Sequence, residues 1–537
     1  MSAQQTNQPP VRKTVTSTSL AAILMMVGLL LSKMTGQLRE ILIAPIFGFG
    51  TISDAYIMGF QIPDLFYQLL VGGAIQAAIT PTLAAAIEKR EVRKGWRSVS
   101  IFINITSAAV LLAVVIGELL APVLIPLFYG KSDPGTIELA IQVTRALFPQ
   151  VFFMMMAALC IGILNAYKKF GSTSFGPSVY NVCVILAMVM LGEASGIGAI
   201  RVAAGVMLAA CVYFVMQFMQ ARQELKHYTL SFDYHDSGFR KLLKLAVPTL
   251  ISGSIIQINM IILTSFAGQY VGEGAVTALR YASTTWQLPY GIFAVAVGIV
   301  MMPSLAGFHA VHDYEGSRRL FVRSMRSVLF IIIPSAALFL VMRQDVVRAI
   351  FQWGSSVTER NVEATAAILG WYCLAMIAQA VVFLVNQAFY ARKMTKVALL
   401  NGLITLVLNA LLCWFFFTIL PGNISNLSLA YAITSIVSAA LLYTLYCRSL
   451  PAAAPRRILP FIVRTLGCVL VLLLVVLALN SLPVVPAGKL LQLLWFGLRA
   501  LIGFTAFFIA SIALKMPEAE QIQNKIHNIF HREAKLS

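Results

Sequence analysis

Continuous apolar runs recur along this chain from end to end, separated by short polar segments rich in Lys and Arg. Each run reaches about 20 residues or more, the length an α-helix needs to cross a bilayer. None alternates polar and apolar residues as a membrane strand does, so the backbone must be satisfied inside helices rather than in a closed barrel. The pattern predicts an all-α polytopic membrane protein with about 14 transmembrane helices. The expected spans are 17–47, 53–88, 97–128, 136–167, 173–193, 197–221, 240–270, 273–306, 319–342, 361–390, 396–419, 427–447, 459–480 and 489–514.

The runs repeat. Pro81-Thr82-Leu83-Ala84 closes the second span and Pro303-Ser304-Leu305-Ala306 closes the eighth, each followed sixteen residues after its proline by an arginine, Arg97 or Arg319. Ile62-Pro63 and Leu288-Pro289 precede them, and Leu164-Asn165-Ala166-Tyr167-Lys168-Lys169 matches Gln387-Ala388-Phe389-Tyr390-Ala391-Arg392 more loosely, a basic turn ending the fourth and tenth spans. A period of six spans is even, so both halves enter the membrane in the same direction. Two such parallel repeats form a transporter architecture with substrate between them. The expected organisation is an N-terminal arm (1–16), an N-lobe (17–221), a cytoplasmic linker (222–239), a C-lobe (240–450), two extra C-terminal helices (451–514) and a tail (515–537). Ile522, Ile526, Ile529 and Phe530 share one face of that tail, which is expected to lie on the cytoplasmic membrane surface.

Composition agrees: of 537 residues 59% are hydrophobic and 11% charged, with mean hydropathy +0.83. The net charge of +19 would fit nucleic acid, but its placement explains it otherwise. If the N-terminus is cytoplasmic, 29 of the 40 Lys and Arg residues fall in cytoplasmic segments, six outside and five within spans. That bias puts both termini in the cytoplasm, and nucleic acid is not needed as a partner. The polar arm before a long first span argues against a signal peptide. The seven cysteines form no CxxC pair and read as apolar packing residues. All six histidines fall in cytoplasmic segments; His309 and His312 have metal-like spacing but no evident partner ligands. No phosphate-cradling glycine loop is present, so an ATPase is excluded. No catalytic residues, metal or cofactor are expected.

The candidate chemistry is the charge inside the spans: Lys33, Arg39, Arg145, Arg280 and Arg499. A cation at mid-membrane costs about 2.5–3.5 kcal/mol on insertion scales and normally faces a polar pathway. Mainly positive intramembrane charge points to an anionic substrate. Lys33, Gly36, Gln37 and Glu40 share a helical face; Arg39 points elsewhere, and Glu40 can neutralise either cation. Asp54, Gln61 and Gln68 follow heptad spacing, with Asp64 one turn from both glutamines and Tyr67 beside them. Arg280, Thr284 and Gln287 fall at i, i+4 and i+7, and Ser252, Ser254, Gln257 and Asn259 add polarity to the seventh span. Spans one, two, seven and eight are expected to line one cavity between the halves, which Arg145 can approach. Guanidinium forks suit pyrophosphate. Lys33, Arg39, Arg280, Arg145, Gln68, Tyr67, Thr284 and Gln287 are the substrate-binding candidates; Glu40, Asp54 and Asp64 are the gating or ion-coupling candidates. Asp54 can alternatively cap a helix or face water. Arg499 is read as snorkelling, or meeting a lipid head group, at the added helices.

Ser32-Lys33, Arg39-Glu40, Pro45-Ile46-Phe47-Gly48, Asp54-Ala55-Tyr56 and Ile62-Pro63 resemble the opening of the MurJ/MviN family of lipid II flippases. Leu288-Pro289-Tyr290-Gly291 through Met302-Pro303-Ser304-Leu305 is similar to the family's eighth span. The resemblance covers the whole chain and places it in the multidrug/oligosaccharidyl-lipid/polysaccharide exporter superfamily. It implies a flippase of the bacterial cytoplasmic membrane that carries undecaprenyl-pyrophosphate-linked muropeptide to the outer leaflet by alternating access. The implied partners are that lipid-linked substrate, membrane lipids and the cell-wall synthesis machinery, with the lipid tail in a groove at 451–514. The family's basic pair falls on Lys33 and Arg39, and its acids on Glu40 and Asp54. Tyr67-Gln68 stands where the family has a second-span cation, and Ala282-Ser283-Thr284 where it has Ala-Asp-Arg; Arg280 lies one turn from Thr284. Three other readings share the scaffold: a flippase for another polyprenyl-pyrophosphate glycan, a drug antiporter depending on Asp64, and a non-transporting membrane scaffold.

Overall fold

Among the described residues, the expected spans fall on helices or pairs of helices. The computed structural model describes residues 12–70, 74–269, 274–353, 356–420, 423–449, 458–482 and 488–524. The helices are α1 (Arg12–Ile41), α2 (Ile43–Phe47), α3 (Thr51–Leu70), α4 (Ala74–Glu88), α5 (Val92–Tyr129), α6 (Pro134–Ala166), α7 (Gly171–Leu191), α8 (Gly196–Ala221) and α9 (Ser237–Gly268). They continue as α10 (Ala275–Pro289), α11 (Ala296–Ala310), α12 (Tyr314–Val341), α13 (Arg343–Phe351), α14 (Glu359–Ala391), α15 (Thr395–Ile419), α16 (Ser425–Arg448), α17 (Ile458–Asn480) and α18 (Lys489–Ala513). Among the described residues there is no strand, and 11 helices are long and apolar enough to cross a membrane. Exposed apolar rows such as Leu112, Leu119, Val123 and Leu127 on α5 are surfaces for lipid.

Local chemistry sets the helix ends. Asp133, Ser195, Asp313 and Thr358 each accept a backbone N–H of the first turn they cap, on α6, α8, α12 and α14. Among the described residues five non-glycine residues take positive φ, and all follow a helix: Arg90, Lys168, His312, Lys393 and Lys515. Each closes the same motif. Arg90 N–H returns to Ile87 O and Glu91 N–H to Ala86 O; His312 returns to His309 and Asp313 to Phe308. Lys168 and Lys169 repeat this at Asn165 and Leu164, as Lys393 and Met394 do at Tyr390 and Phe389. The internal repeat therefore extends to backbone conformation: Arg90 matches His312, and Lys168 matches Lys393. Between α10 and α11, a wide helical turn at Tyr290–Val295 follows Pro289.

The helices form two compact units. The first holds residues 1–47 and 55–257; the second holds 48–54 and 258–537. In the first, α6 packs on α4, α5 and α8, and α7 packs on α8 and α1. In the second, α14 packs on α10, α11, α12 and α16, and α15 packs on α16. Asn409 of α15 also donates to Asn259 of α9 at 2.8 Å. The helix-packing order of one half thus recurs in the other. In the second unit α17 packs on α12 and α18.

The polar connection 222–239 is docked on α5. Asn104 donates to the Ser231 carbonyl at 2.8 Å, Ser98 Oγ donates to Asp236 at 2.7 Å, and Arg97 pairs with Asp233 at 3.3 Å. Asp236 caps α9 through the Phe239 N–H at 2.8 Å. Partial burial pushes its carboxyl up, but the hydrogen bonds from Ser98 and the Phe239 and Gly238 amides, with nearby Arg97, outweigh that and set it below the ordinary range. The start of the tail packs against the second unit: Met516 and Ala519 are buried, and Glu518 pairs with Arg326 at 2.7 Å. Ile526, Ile529 and Phe530 lie outside the described residues.

Candidate functional site

Each unit presents its own set of the predicted residues. In the first, α1 runs unbroken to Ile41, with no distortion at Gly36. Lys33 is exposed, while Arg39 is half-buried and turned toward α7. Arg39 Nη2 lies 2.8 Å from Glu40 Oε1, and Nη1 donates to Asn181 Oδ1 at 3.4 Å. Asn181 in turn donates to the Ser32 carbonyl at 3.2 Å and to Thr35 Oγ1 at 3.4 Å. The guanidinium is thereby held between its sequence neighbour and a neighbouring helix, and its fork geometry suits both contacts. Of the two cations, Glu40 is paired with Arg39.

Tyr67, Tyr180 and Tyr213 line a cavity of about 460 Å³ with Ser32, Asn165 and Ser174. Gln61 is buried and accepts from Gln257 Nε2 at 3.0 Å. Gln68 is half-buried. Arg145 is exposed on the α5 side of α6, with Nε donating to the Glu118 carbonyl at 3.4 Å. Sequence reasoning did not single out Asn181, Tyr180 or Tyr213. An asparagine inside the apolar fifth span was the available signal.

In the second unit, Asp54 is buried and accepts from Gly274 N at 3.0 Å, Thr277 N at 2.8 Å and Thr277 Oγ1 at 2.6 Å. These donors belong to the first turn of α10, whose own N-terminal residue Gly274 has no side chain to cap it. Gly274 holds φ +87, and a Cβ there would sit 2.4 Å from the Phe49 ring. Glycine is needed on both counts. Ser53 Oγ, 2.8 Å from Thr277 Oγ1, completes the cluster. Of the two readings open for Asp54, capping a helix is the one this geometry displays.

Along α10, residues 276–279, 281–283, 285 and 286 are buried, while Arg280 and Thr284 are half-buried and Gln287 is exposed. The accessible face of the helix is therefore the predicted i, i+4, i+7 row. Gln287 donates to Ser283 Oγ at 2.9 Å and Thr284 Oγ1 to the Tyr281 carbonyl at 3.1 Å. The side chains of Ser252 and Ser254 lie outside the described set.

Of the two readings of Arg499, the structure excludes snorkelling. The residue is 9% exposed, pairs with Asp345 of α13 at 2.9 Å and donates to Asn480 of α17 at 2.6 Å. It does not snorkel, because Asp345 comes to meet it. His309 and His312 contact different hydroxyls, Ser317 Oγ at 3.1 Å and Tyr314 OH at 3.3 Å. Among the described residues no group of three or more His, Cys, Asp or Glu converges.

Two repeated helical units with polar intramembrane faces define a membrane transporter. A solved inward-facing multidrug-resistance MATE transporter of the MOP superfamily matches with TM-score 0.66 at 14% identity, covering 79% of this chain and 97% of that one. A solved lipid II flippase MurJ in an inward closed conformation matches with TM-score 0.76 at 23% identity, covering 92% of this chain and 99% of that one. Residues 43–493 match the family described as lipid II flippase MurJ, and the chain belongs to that family. A protein named "Probable lipid II flippase MurJ" from Rhizobium tropici is 28% identical over 78% of this chain and 79% of its own length. The "Lipid II flippase MurJ" of Burkholderia cenocepacia is 26% identical over 68% of this chain and 72% of its own. The chain is thus a multi-pass membrane transporter and not an enzyme.

Proposed function

We propose that this protein flips lipid II, carrying undecaprenyl-pyrophosphate-linked muropeptide from the inner to the outer leaflet by alternating access. The family match across residues 43–493 carries this reading. The site chemistry supports it: the intramembrane cations suit a diphosphate, which a drug antiporter centred on Asp64 would not require. Lys33 and Arg39 in the first unit and Arg280 in the second supply those cations. Glu40 and Asn181 hold Arg39 in place; Thr284, Gln287, Tyr67 and Gln68 offer hydrogen bonds to phosphate oxygens and sugars, and Arg145 adds charge nearby. Asp64 is the candidate for ion coupling, and Asp54 contributes to gating by anchoring the start of α10. The excess of basic residues on one side supports cytoplasmic termini. α17 and α18 accommodate the lipid tail, and the cell-wall synthesis machinery receives the product.

The test is growth of a bacterium depleted of its own lipid II flippase. Rescue by the parent chain, lost in normally inserted Arg39→Ala and Arg280→Ala, is the expected result. A parent that inserts yet never rescues would overturn the substrate assignment.

A further inference from the structure

The charged cluster around Arg499 has no part in this transport scheme. α13, the end of α17 and the first three turns of α18 enclose a cavity of about 340 Å³. Three cations line it, Arg348, Lys489 and Arg499, against two acids, Asp345 and Glu359. Both acids are already engaged. Asp345 pairs with Arg499 at 2.9 Å and Arg348 at 3.3 Å; Glu359 pairs with Arg348 at 2.7 Å and accepts from Gln352 at 3.0 Å. One positive charge is left over, and Lys489 carries it. Its Nζ donates to the Arg348 carbonyl and lies 5.2 Å from the Trp353 ring, with no carboxylate partner among the described residues.

A second observation concerns a residue that lines the same cavity. Arg499 is nine-tenths buried, with Nη1 on Asn480 and Nη2 on Asp345, but its buried Nε has no partner. Native structures seldom leave such a donor unmet. Lys489, Gln492, Phe496 and Arg499 follow at i, i+3, i+7 and i+10, so the lined face runs roughly 15 Å along α18. On the other side of the helix Leu491, Leu494 and Leu498 are 53%, 60% and 46% exposed, and so meet acyl chains. Within the cavity itself Leu479, Leu482, Leu493 and Phe496 line the wall beside the charged groups, so a ligand with both an anionic and an apolar part fits it.

We infer that the pocket between α13, α17 and α18 binds the phosphate group of an anionic membrane lipid, with Lys489 and Arg499 Nε as its donors. A phosphodiester brings one negative charge, which matches the one unbalanced cation; a diphosphate would overshoot it. The pocket is therefore separate from the route of the transported head group. Charge-assisted contacts of this kind are the strong ones, and a lipid seated there would tie the added helices to α13.

The experiment uses the purified full chain in neutral detergent and follows its unfolding midpoint. Short-chain phosphatidylglycerol, short-chain phosphatidylcholine and sodium phosphate at matched ionic strength are titrated separately. Phosphatidylglycerol should raise the midpoint saturably, as a ligand of the folded state does. Lys489→Gln should weaken its apparent affinity about tenfold or more, and Arg499→Lys, which removes the Nε donor but keeps the charge, should weaken it too. Phosphatidylcholine should shift the midpoint less. Competition by sodium phosphate with an equal shift would keep the phosphate site but overturn the lipid as its source. No shift, or a phosphatidylglycerol shift equal in parent and both variants, would overturn the site altogether. The readout is binding, so its failure leaves the flippase reading standing.

Discussion

The Asp54 carboxylate accepts both the backbone N–H of Thr277 at 2.8 Å and its hydroxyl at 2.6 Å, across 223 residues of sequence. With the Gly274 N–H, it supplies α10 with the N-terminal cap its own sequence lacks. Asp54→Ala should leave those buried donors unmet and cost about 2–3 kcal/mol. Asp54→Asn, which keeps one acceptor oxygen, should cost less. Thermal unfolding in detergent measures both, and an alanine variant as stable as the parent would refute the anchoring role.

The sequence pointed to Asp54 but not to its partners. A polar residue in an apolar span is visible in one dimension, whereas a contact 223 residues away is not. The spans themselves were legible for a different reason. The bilayer demands long continuous apolar helices, so length and hydrophobicity carry most of that information. Arg499 shows the limit: snorkelling is reasonable for an isolated cation on α18, but Asp345 sits on α13, a short amphipathic helix that no apolar run announces. Asn181 was missed likewise, because its value lies in bridging Arg39 to the Ser32 carbonyl.

Arg39 touches Glu40 and Asn181 through different nitrogens of one fork. A lysine keeps the charge but presents a single ammonium, which cannot bridge both in the same geometry. Arg39→Lys should therefore support growth in the depletion assay only weakly, and Arg39→Ala not at all. Full rescue by Arg39→Lys at parental expression would show that charge alone suffices.

Arg280 and Thr284 lie one turn apart on the accessible face of α10. If the requirement is a guanidinium on this face, the double change Arg280→Ala/Thr284→Arg should recover much of the growth that Arg280→Ala loses. A double variant as dead as the single one, with both inserted, would tie function to position 280 itself.

Asp236 caps α9 and is held below the ordinary carboxylate range, its hydrogen bonds and Arg97 outweighing burial. A depressed acid stabilises the fold above its unfolded pKa, and that contribution is lost as pH falls through the folded one. Asp236→Ala should thus cost about 1 kcal/mol at neutral pH. The gap between parent and variant should close in acid below the usual carboxylate range. Hydrogen exchange of the Phe239 amide against pH reads this locally, and a gap independent of pH would mean that the charge plays no part.

Lys168 at φ 60 and Lys393 at φ 58 pay a conformational cost at matching ends of α6 and α14. A left-handed residue with a Cβ is disfavoured by about 1 kcal/mol relative to glycine. The cost is tolerated because each closes a motif that satisfies helix-end carbonyls and places a cation at the negative end of the helix dipole. Lys393→Gly should therefore raise stability by up to about 1 kcal/mol, partly offset by glycine's greater freedom in the unfolded chain. Lys393→Ala keeps the Cβ and should gain nothing, and the same pair at Lys168 should behave alike. Unfolding midpoints of the four variants decide the matter. Equal effects of Gly and Ala would show that backbone strain is not what distinguishes these positions, and different behaviour at 168 and 393 would show that the repeat in backbone conformation does not extend to energetics.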